Sequence, residues 1–145
     1  MSVIEELKQK LLEGKTLAVH FDSGERFFSD GKGIGDLLKL SLTEGALRNA
    51  VAADKIVGRA ASFLYCRAGV KYLYAETLSE GGAKILTEHG IEFSYKTLTP
   101  AIMNRAGTGI CPMDSAVKDT EDIDTAYGLI RKRLAELRSM QQNKN

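Results

Sequence analysis

The 145-residue chain has no tryptophan, two cysteines, two prolines, two histidines and almost no excess of charge. Each scarcity closes off a class of function. Its 20 basic and 19 acidic residues leave a net charge of +1. That is too little to hold a phosphate backbone or an anionic membrane, so nucleic acid is not favoured as a partner. No stretch approaches the roughly 20 apolar residues that span a bilayer, so no membrane is expected. The opening residues, Met1 to Lys8, carry Glu5 and Glu6 inside their apolar pattern, unlike a secretory leader. Cys66 lies in an apolar run and Cys111 in a glycine-rich loop, 45 positions apart. No disulfide is suggested, and a reducing, cytoplasmic setting is expected.

What remains is ordinary globular material. Hydrophobic residues make up 43% and charged residues 27% of the chain, enough for a core without staples. No repeat, low-complexity run or linker divides it. One domain is expected over 1–140, with a frayed tail over 141–145.

Val3, Ile4, Leu7, Leu11 and Leu12 recur at helical spacing, with Ser2 and Glu5 placed as a capping box and Gly14 as terminator. Thr16–Phe21 and Arg26–Ser29 flank the turn residues Asp22-Ser23-Gly24-Glu25 and predict a hairpin. The glycine-rich stretch Asp30–Gly35 leads into a short helix through Leu42. It matches neither the P-loop nor the dinucleotide fingerprint. From Asp54 to Cys66 the chain is apolar nearly all round, which predicts a helix over 54–66, the most buried of the fold. Val70–Ala75 and Ile91–Thr97 read as strands around a helix over Ser79–His89. Pro100–Asp114 reads as a long loop, and Thr120–Leu137 as an amphipathic helix. Strands alternating with helices predict a three-layer α/β/α sandwich around a mixed sheet with at least one parallel pair.

This chain order is that of the cytidine-deaminase-like fold. Ala53-Asp54-Lys55-Ile56-Val57-Gly58-Arg59-Ala60-Ala61 and Asn104-Arg105-Ala106-Gly107-Thr108-Gly109-Ile110-Cys111-Pro112-Met113-Asp114 sharpen the likeness. Together they resemble a family of small uncharacterised prokaryotic proteins, a domain of unknown function placed among deaminase-like folds. The resemblance runs from about Gly14 to Val117 and implies a fold without an established activity. Zinc deaminases carry a His or Cys ligand and a catalytic Glu at the start of the buried helix, and a Pro-Cys-x-x-Cys turn at the next. The corresponding positions here are expected near 53–55 and 79–83, where there is no His or Cys. Tetrahedral zinc needs three protein ligands at about 2.0–2.3 Å. Neither zinc nor another cofactor is therefore implied, and deamination does not carry over.

Six residues are candidate ligand-binding groups: Asp54, Lys55, Asn104, Arg105, Thr108 and Cys111. Asp54 reads either as the N-cap of the buried helix or as an acid at the mouth of a cleft. Asn104, Arg105 and Thr108 read as a surface loop, or as a loop presenting N–H groups and a guanidinium to an anion. Cys111, before Pro112, suits the start of a short helix, where a thiol becomes more acidic; it is the one catalytic candidate. Its other reading is a packed loop residue. His20 and His89 read as a strand residue and a helix C-terminal residue.

By the rule for open α/β sheets, Asp54 and Lys55 are expected to face Ser79 and Glu80 across a cleft, with the loop 104–111 as the remaining wall. The reading is a non-catalytic deaminase-like scaffold for a small polar or nucleotide-like ligand. A metal-free enzyme using Cys111 and a protein-interaction module are the alternatives. A homodimer is left open.

Overall fold

Ser2 opens the first helix in the computed structural model, which describes residues 2–143. Its hydroxyl accepts from the Glu5 N–H at 3.2 Å, and the Glu5 carboxylate accepts from the Ser2 N–H at 3.3 Å. This capping box starts α1, Val3–Leu12. Leu7 and Leu11, one turn apart, are buried on a single face. They pack on Ala18 and Ala53 of the sheet in a small core of their own.

The hairpin follows as β1, Leu17–His20, and β2, Arg26–Ser29. Gly24 in the turn has a φ of +94°, a conformation glycine adopts at no steric cost. After β2 come α2, Gly35–Leu40, and then a strand that periodicity did not reveal: β3, Val51–Val57. The helix expected over 54–66 is corrected here. Residues 54–57 finish this strand, and α3 runs over Arg59–Ala68 after a break at Gly58.

The physical reason is position in the sheet. β3 pairs with β1 antiparallel and with β4, Tyr72–Ser79, in parallel. As a central strand it is covered on both faces, so Ala52 and Ala53 are both fully buried although they point to opposite sides. The apolar run that begins at Ile56 crosses from the end of this strand into α3, and short apolar runs are common to buried strands and buried helices. The burial expected of the helix is found in α3, where Ala60 to Tyr65 and Ala68 are all buried. In the long α6, only Ala126 and Ile130 are buried among the described residues.

The chain continues through α4, Glu80–Glu88, β5, Glu92–Thr99, a short α5, Pro112–Ala116, and α6, Ile123–Asn143. α6 runs past the expected end at Leu137; positions 144–145 lie outside the described residues. The sheet order is β2-β1-β3-β4-β5, with β3, β4 and β5 parallel and β1 antiparallel to both neighbours. The protein is thus α/β with a mixed five-stranded sheet. α1 covers one face over β1 and β3. The main core lies on the other face, between the sheet and α3 and α4, while α6 packs on α3.

α3 and α4 approach closely at Gly82. A Cβ there would lie 2.8 Å from Ser62 Oγ and 3.0 Å from the Gly58 carbonyl oxygen. Alanine would gain about 1 kcal/mol of helix propensity. Overpacking against backbone costs about 1–3 kcal/mol, and the carbonyl has little freedom to retreat. Gly82→Ala is expected to lower the urea midpoint of unfolding without changing the slope; an unchanged or higher midpoint would contradict this packing.

Candidate functional site

β3 is where the sheet changes from antiparallel to parallel pairing, and a cleft of about 660 Å³ opens beside its carboxyl end. Such crevices are where open α/β sheets take ligands. Asp54, Lys55 and Ile56 of β3, with Gly58, form the floor. The glycine-rich segment 29–37 makes one wall, and residues between 102 and 114 make the other.

The first wall is tied down at both ends. The Thr16 hydroxyl donates to the Gly31 carbonyl at 2.6 Å, and Ser29 Oγ bonds the Asp36 carboxylate. Gly33 between them has a φ of +83°, which a side chain would strain.

The second wall is a small antiparallel turn. Met103 bridges Ile110, the Asn104 N–H donates to Gly109 O at 2.8 Å, and the Cys111 N–H donates to Ile102 O at 2.9 Å. Asn104 and Thr108 close the turn on each other: the Thr108 N–H donates to Asn104 Oδ1 at 3.0 Å, and Asn104 Nδ2 donates to Thr108 Oγ1 at 3.2 Å. Neither lines the cleft, whereas Asp54, Lys55, Arg105 and Cys111 do. The structure therefore brings together four of the six candidates and assigns the other two to the loop's own geometry. Ser79 and Glu80 do not line it. Ser79 is buried as the N-cap of α4, accepting from the Gly82 N–H at 2.9 Å. The expected pairing of 54–55 with 79–80 fails because Asp54 lies within a strand, not at a helix start.

Asp54 is not a helix cap. Its Oδ2 accepts from the Tyr65 hydroxyl at 2.7 Å and its Oδ1 from the Ile56 N–H at 3.3 Å. Burial pushes its pKa up to about 6; the hydrogen bonds from Tyr65 and from the Ile56 and Lys55 backbone pull the other way. Burial and the adjacent carboxylate push the Tyr65 hydroxyl well above its ordinary value, so Tyr65 remains the donor. Sequence reading missed this pair. Its one signal was a tyrosine in an apolar helix, whose hydroxyl must find a partner.

Asp114 was also missed. Its Oδ1 accepts from the Ala60 N–H at 2.9 Å and so caps α3 from outside. A Cβ on Gly58 would lie 2.0 Å from Asp114 Oδ2, so only glycine admits the carboxylate. Burial raises the Asp114 pKa, against the lowering effect of the Ala60 and Arg59 N–H groups and the Arg59 charge. Arg59 extends the same tie: its Nε donates to Val117 O at 2.9 Å, and its Nη2 to Glu121 Oε1 at 3.1 Å.

Three helices start at the cleft, α2 after Ile34, α3 after Gly58 and α5 after Cys111, rather than at the positions 53–55 and 79–83 expected for zinc motifs. Residues 34–36 and 58–60 contain no His or Cys, and the start of α5 carries the single Cys111. Among the described residues, no three His, Cys, Asp or Glu side chains are grouped to hold a metal. His20 lies in β1, and His89 is the C-cap of α4. Cys111 is the half-buried N-cap residue of α5, without a side-chain cap bond. Cys66 packs against the core, and burial pushes its pKa up to about 12.

The fold and cleft define a small α/β protein with a cavity at the antiparallel-to-parallel switch of a mixed sheet. The family model TM1506, Domain of unknown function (DUF1893), matches residues 6–134, and the chain belongs to that family. A DUF1893 family protein (TM1506) from Thermotoga maritima, solved at 2.70 Å, is similar in structure. It has a TM-score of 0.77 and 23% identity over 92% of this chain and 88% of that one. That likeness is one of fold. No curated protein matches the chain significantly.

The raised Asp54 pKa fixes a pH dependence. The folded protein holds this proton more tightly than the unfolded chain, whose carboxyl has a pKa of 3.8. The stabilising effect is complete below pH 3.8 and is lost as pH rises through about 6. A shift of about two units corresponds to about 3 kcal/mol. Carbon-detected NMR should give Asp54 a midpoint near 6, moved higher in Tyr65→Phe. Asp54→Asn should flatten this part of the stability curve. A wild-type midpoint near that of a free aspartate would contradict the burial.

Proposed function

We propose that this protein is a deaminase-like scaffold that binds a small, polar, anionic ligand, a phosphorylated sugar or nucleotide-like molecule, in the cleft beside Asp54. The observation that carries this is how the charges at the cleft are committed. Its acids are engaged internally: Asp36 by Ser29, Asp54 by Tyr65 and Asp114 by α3. Its cations Lys32, Lys55 and Arg105 form no ion pair among the described residues and are exposed. The formal charges of the lining balance, but the three cations are the exposed and unpaired ones, while each acid is held by a hydrogen bond within the fold. A guanidinium can grip a phosphate or carboxylate through two parallel bonds. A cleft of about 660 Å³ is within the size range of small-molecule sites.

Among the described residues, no helix is long and apolar enough to cross a membrane. The two free thiols, Cys66 and Cys111, suit a reducing compartment, and we place the protein in the cytoplasm. A metal-free enzyme remains the second reading, because Cys111 stands on the cleft wall without a side-chain cap bond. In that reading the Cys111 sulfur, its proton lost to solvent, forms a bond to an electrophilic carbon of a phosphate ester held by Arg105, and the carbon–oxygen bond breaks to release phosphate, which takes the electron pair.

A thermal-shift series with inorganic phosphate, sugar phosphates and nucleoside monophosphates tests the proposal, since a ligand of the folded state raises Tm. At least one phosphate compound should raise it. Arg105→Ala and Lys55→Ala should each weaken binding by about 10- to 100-fold, the scale of a charge-assisted hydrogen bond. Iodoacetamide should alkylate Cys111 well before Cys66, and the bound compound should slow it. No shift with any compound, or shifts in both variants as large as in the wild type, would contradict the site.

A further inference from the structure

β5 is an edge strand of eight residues, Glu92–Thr99, and its outer side has no strand partner among the described residues. Proteins blunt exposed edges with charged side chains, proline, bulges, short strands or a covering segment. Of these β5 has only the charges of Glu92 and Lys96, which are opposite in sign and can pair across an interface. β5 is long and free of proline and glycine, and its pairing with β4 runs to the end of both strands. It carries two large apolar side chains in the open, Tyr95 at 45% and Leu98 at 42% exposure. A strand in this state is a template for another chain.

The sequence of the strand specifies which chain. Two copies joined edge to edge about a two-fold axis perpendicular to the sheet pair antiparallel, and opposed residues share a face. With the axis at Ser94, Glu92 of one copy faces Lys96 of the other, twice by symmetry. Phe93 faces Tyr95, also twice, and Ser94 faces itself. Opposite charges and paired aromatics at directly opposed positions are the stabilising cross-strand combinations. A slide of one step, to an axis at Phe93 or Tyr95, leaves one ring against its own copy but breaks the charge pairing, since Glu92 then faces Ser94 or Leu98. A second step, to an axis at Lys96, sets that cation against its own copy and loses the aromatic pair as well. Ser94 suits the centre because it is small and its hydroxyl is turned towards its own sheet by the Tyr72 hydroxyl. Phe93 and Tyr95 are already aligned, with ring centroids 6.5 Å apart and planes 25° apart. The partner's rings would extend that row.

We propose that the protein forms a symmetric homodimer through β5, antiparallel about Ser94, which joins two five-stranded sheets into one of ten strands. The interface lies at the opposite side of the sheet from β2. It uses none of the cleft residues, so it is independent of the ligand proposal.

Light scattering on the full chain after size-exclusion chromatography tests the inference by a charge-swap cycle. The wild type should elute at twice the chain mass of 15.8 kDa. Lys96→Glu and Glu92→Lys each put like charges in opposition and should return the mass to a single chain, with the far-UV circular dichroism unchanged. Combining the two swaps restores opposite charges and should restore the dimer. A monomeric wild type overturns the inference, as do single variants that stay dimeric or a double variant that stays monomeric.

Discussion

The first turn of α3 presents backbone N–H groups to the end of the sheet, and its own N-cap, Gly58, supplies no side chain to meet them. Left unpaired, such buried donors cost about 1–3 kcal/mol each. Asp114 meets them instead, accepting from the Ala60 N–H at 2.9 Å in the space that glycine leaves open at position 58. The positive end of the helix dipole strengthens this bond to a carboxylate. The same turn sends Arg59 the other way, to the Val117 carbonyl and the Glu121 carboxylate. Two reciprocal ties therefore fasten the segment after β5 across the end of β3. The cleft exists because of them: its second wall is held in place by a cap.

Asp54 lies at the floor of that enclosure, and its elevated pKa follows from the same construction. The walls take it out of water, and the Tyr65 hydroxyl offsets only part of the cost. A carboxyl that titrates near 6 can exchange its charge in the pH range of ordinary cells. The affinity of an anionic ligand beside it should therefore rise as it becomes protonated. This links the stability of the fold and the chemistry of the cleft through one side chain.

Much of the fold was legible from short-range pattern. The Ser2–Glu5 capping box, the hairpin around Gly24, the strands at β4 and β5 and the long C-terminal helix all follow from spacing and turn chemistry. β3 did not, because a strand buried on both faces loses its alternation; Ala52 and Ala53 are both buried where a half-exposed strand would show one polar residue. Reading residues 54–57 as helix then misplaced Ser79 and Glu80 opposite Asp54, although the loop carrying Arg105 and Cys111 does line the same cleft. Arg105 and Cys111, singled out because a glycine-rich loop and a proline mark them, line the cleft. Asn104 and Thr108 carry the same marks, yet they serve the turn itself. Tyr65 and Asp114 could not be assigned: their partners lie 11 and 54 positions away, beyond any local spacing rule.

Residue-resolved hydrogen exchange in Asp114→Ala bears most directly on the cap that holds the cleft together. Loss of the carboxylate should speed exchange at the Ala60 N–H and across residues 102–117. The α1 face, which packs through Leu7 and Leu11 on Ala18 and Ala53, should keep its protection. If exchange over 102–117 stays at the wild-type rate, the second wall is held by something other than Asp114 and the account is wrong.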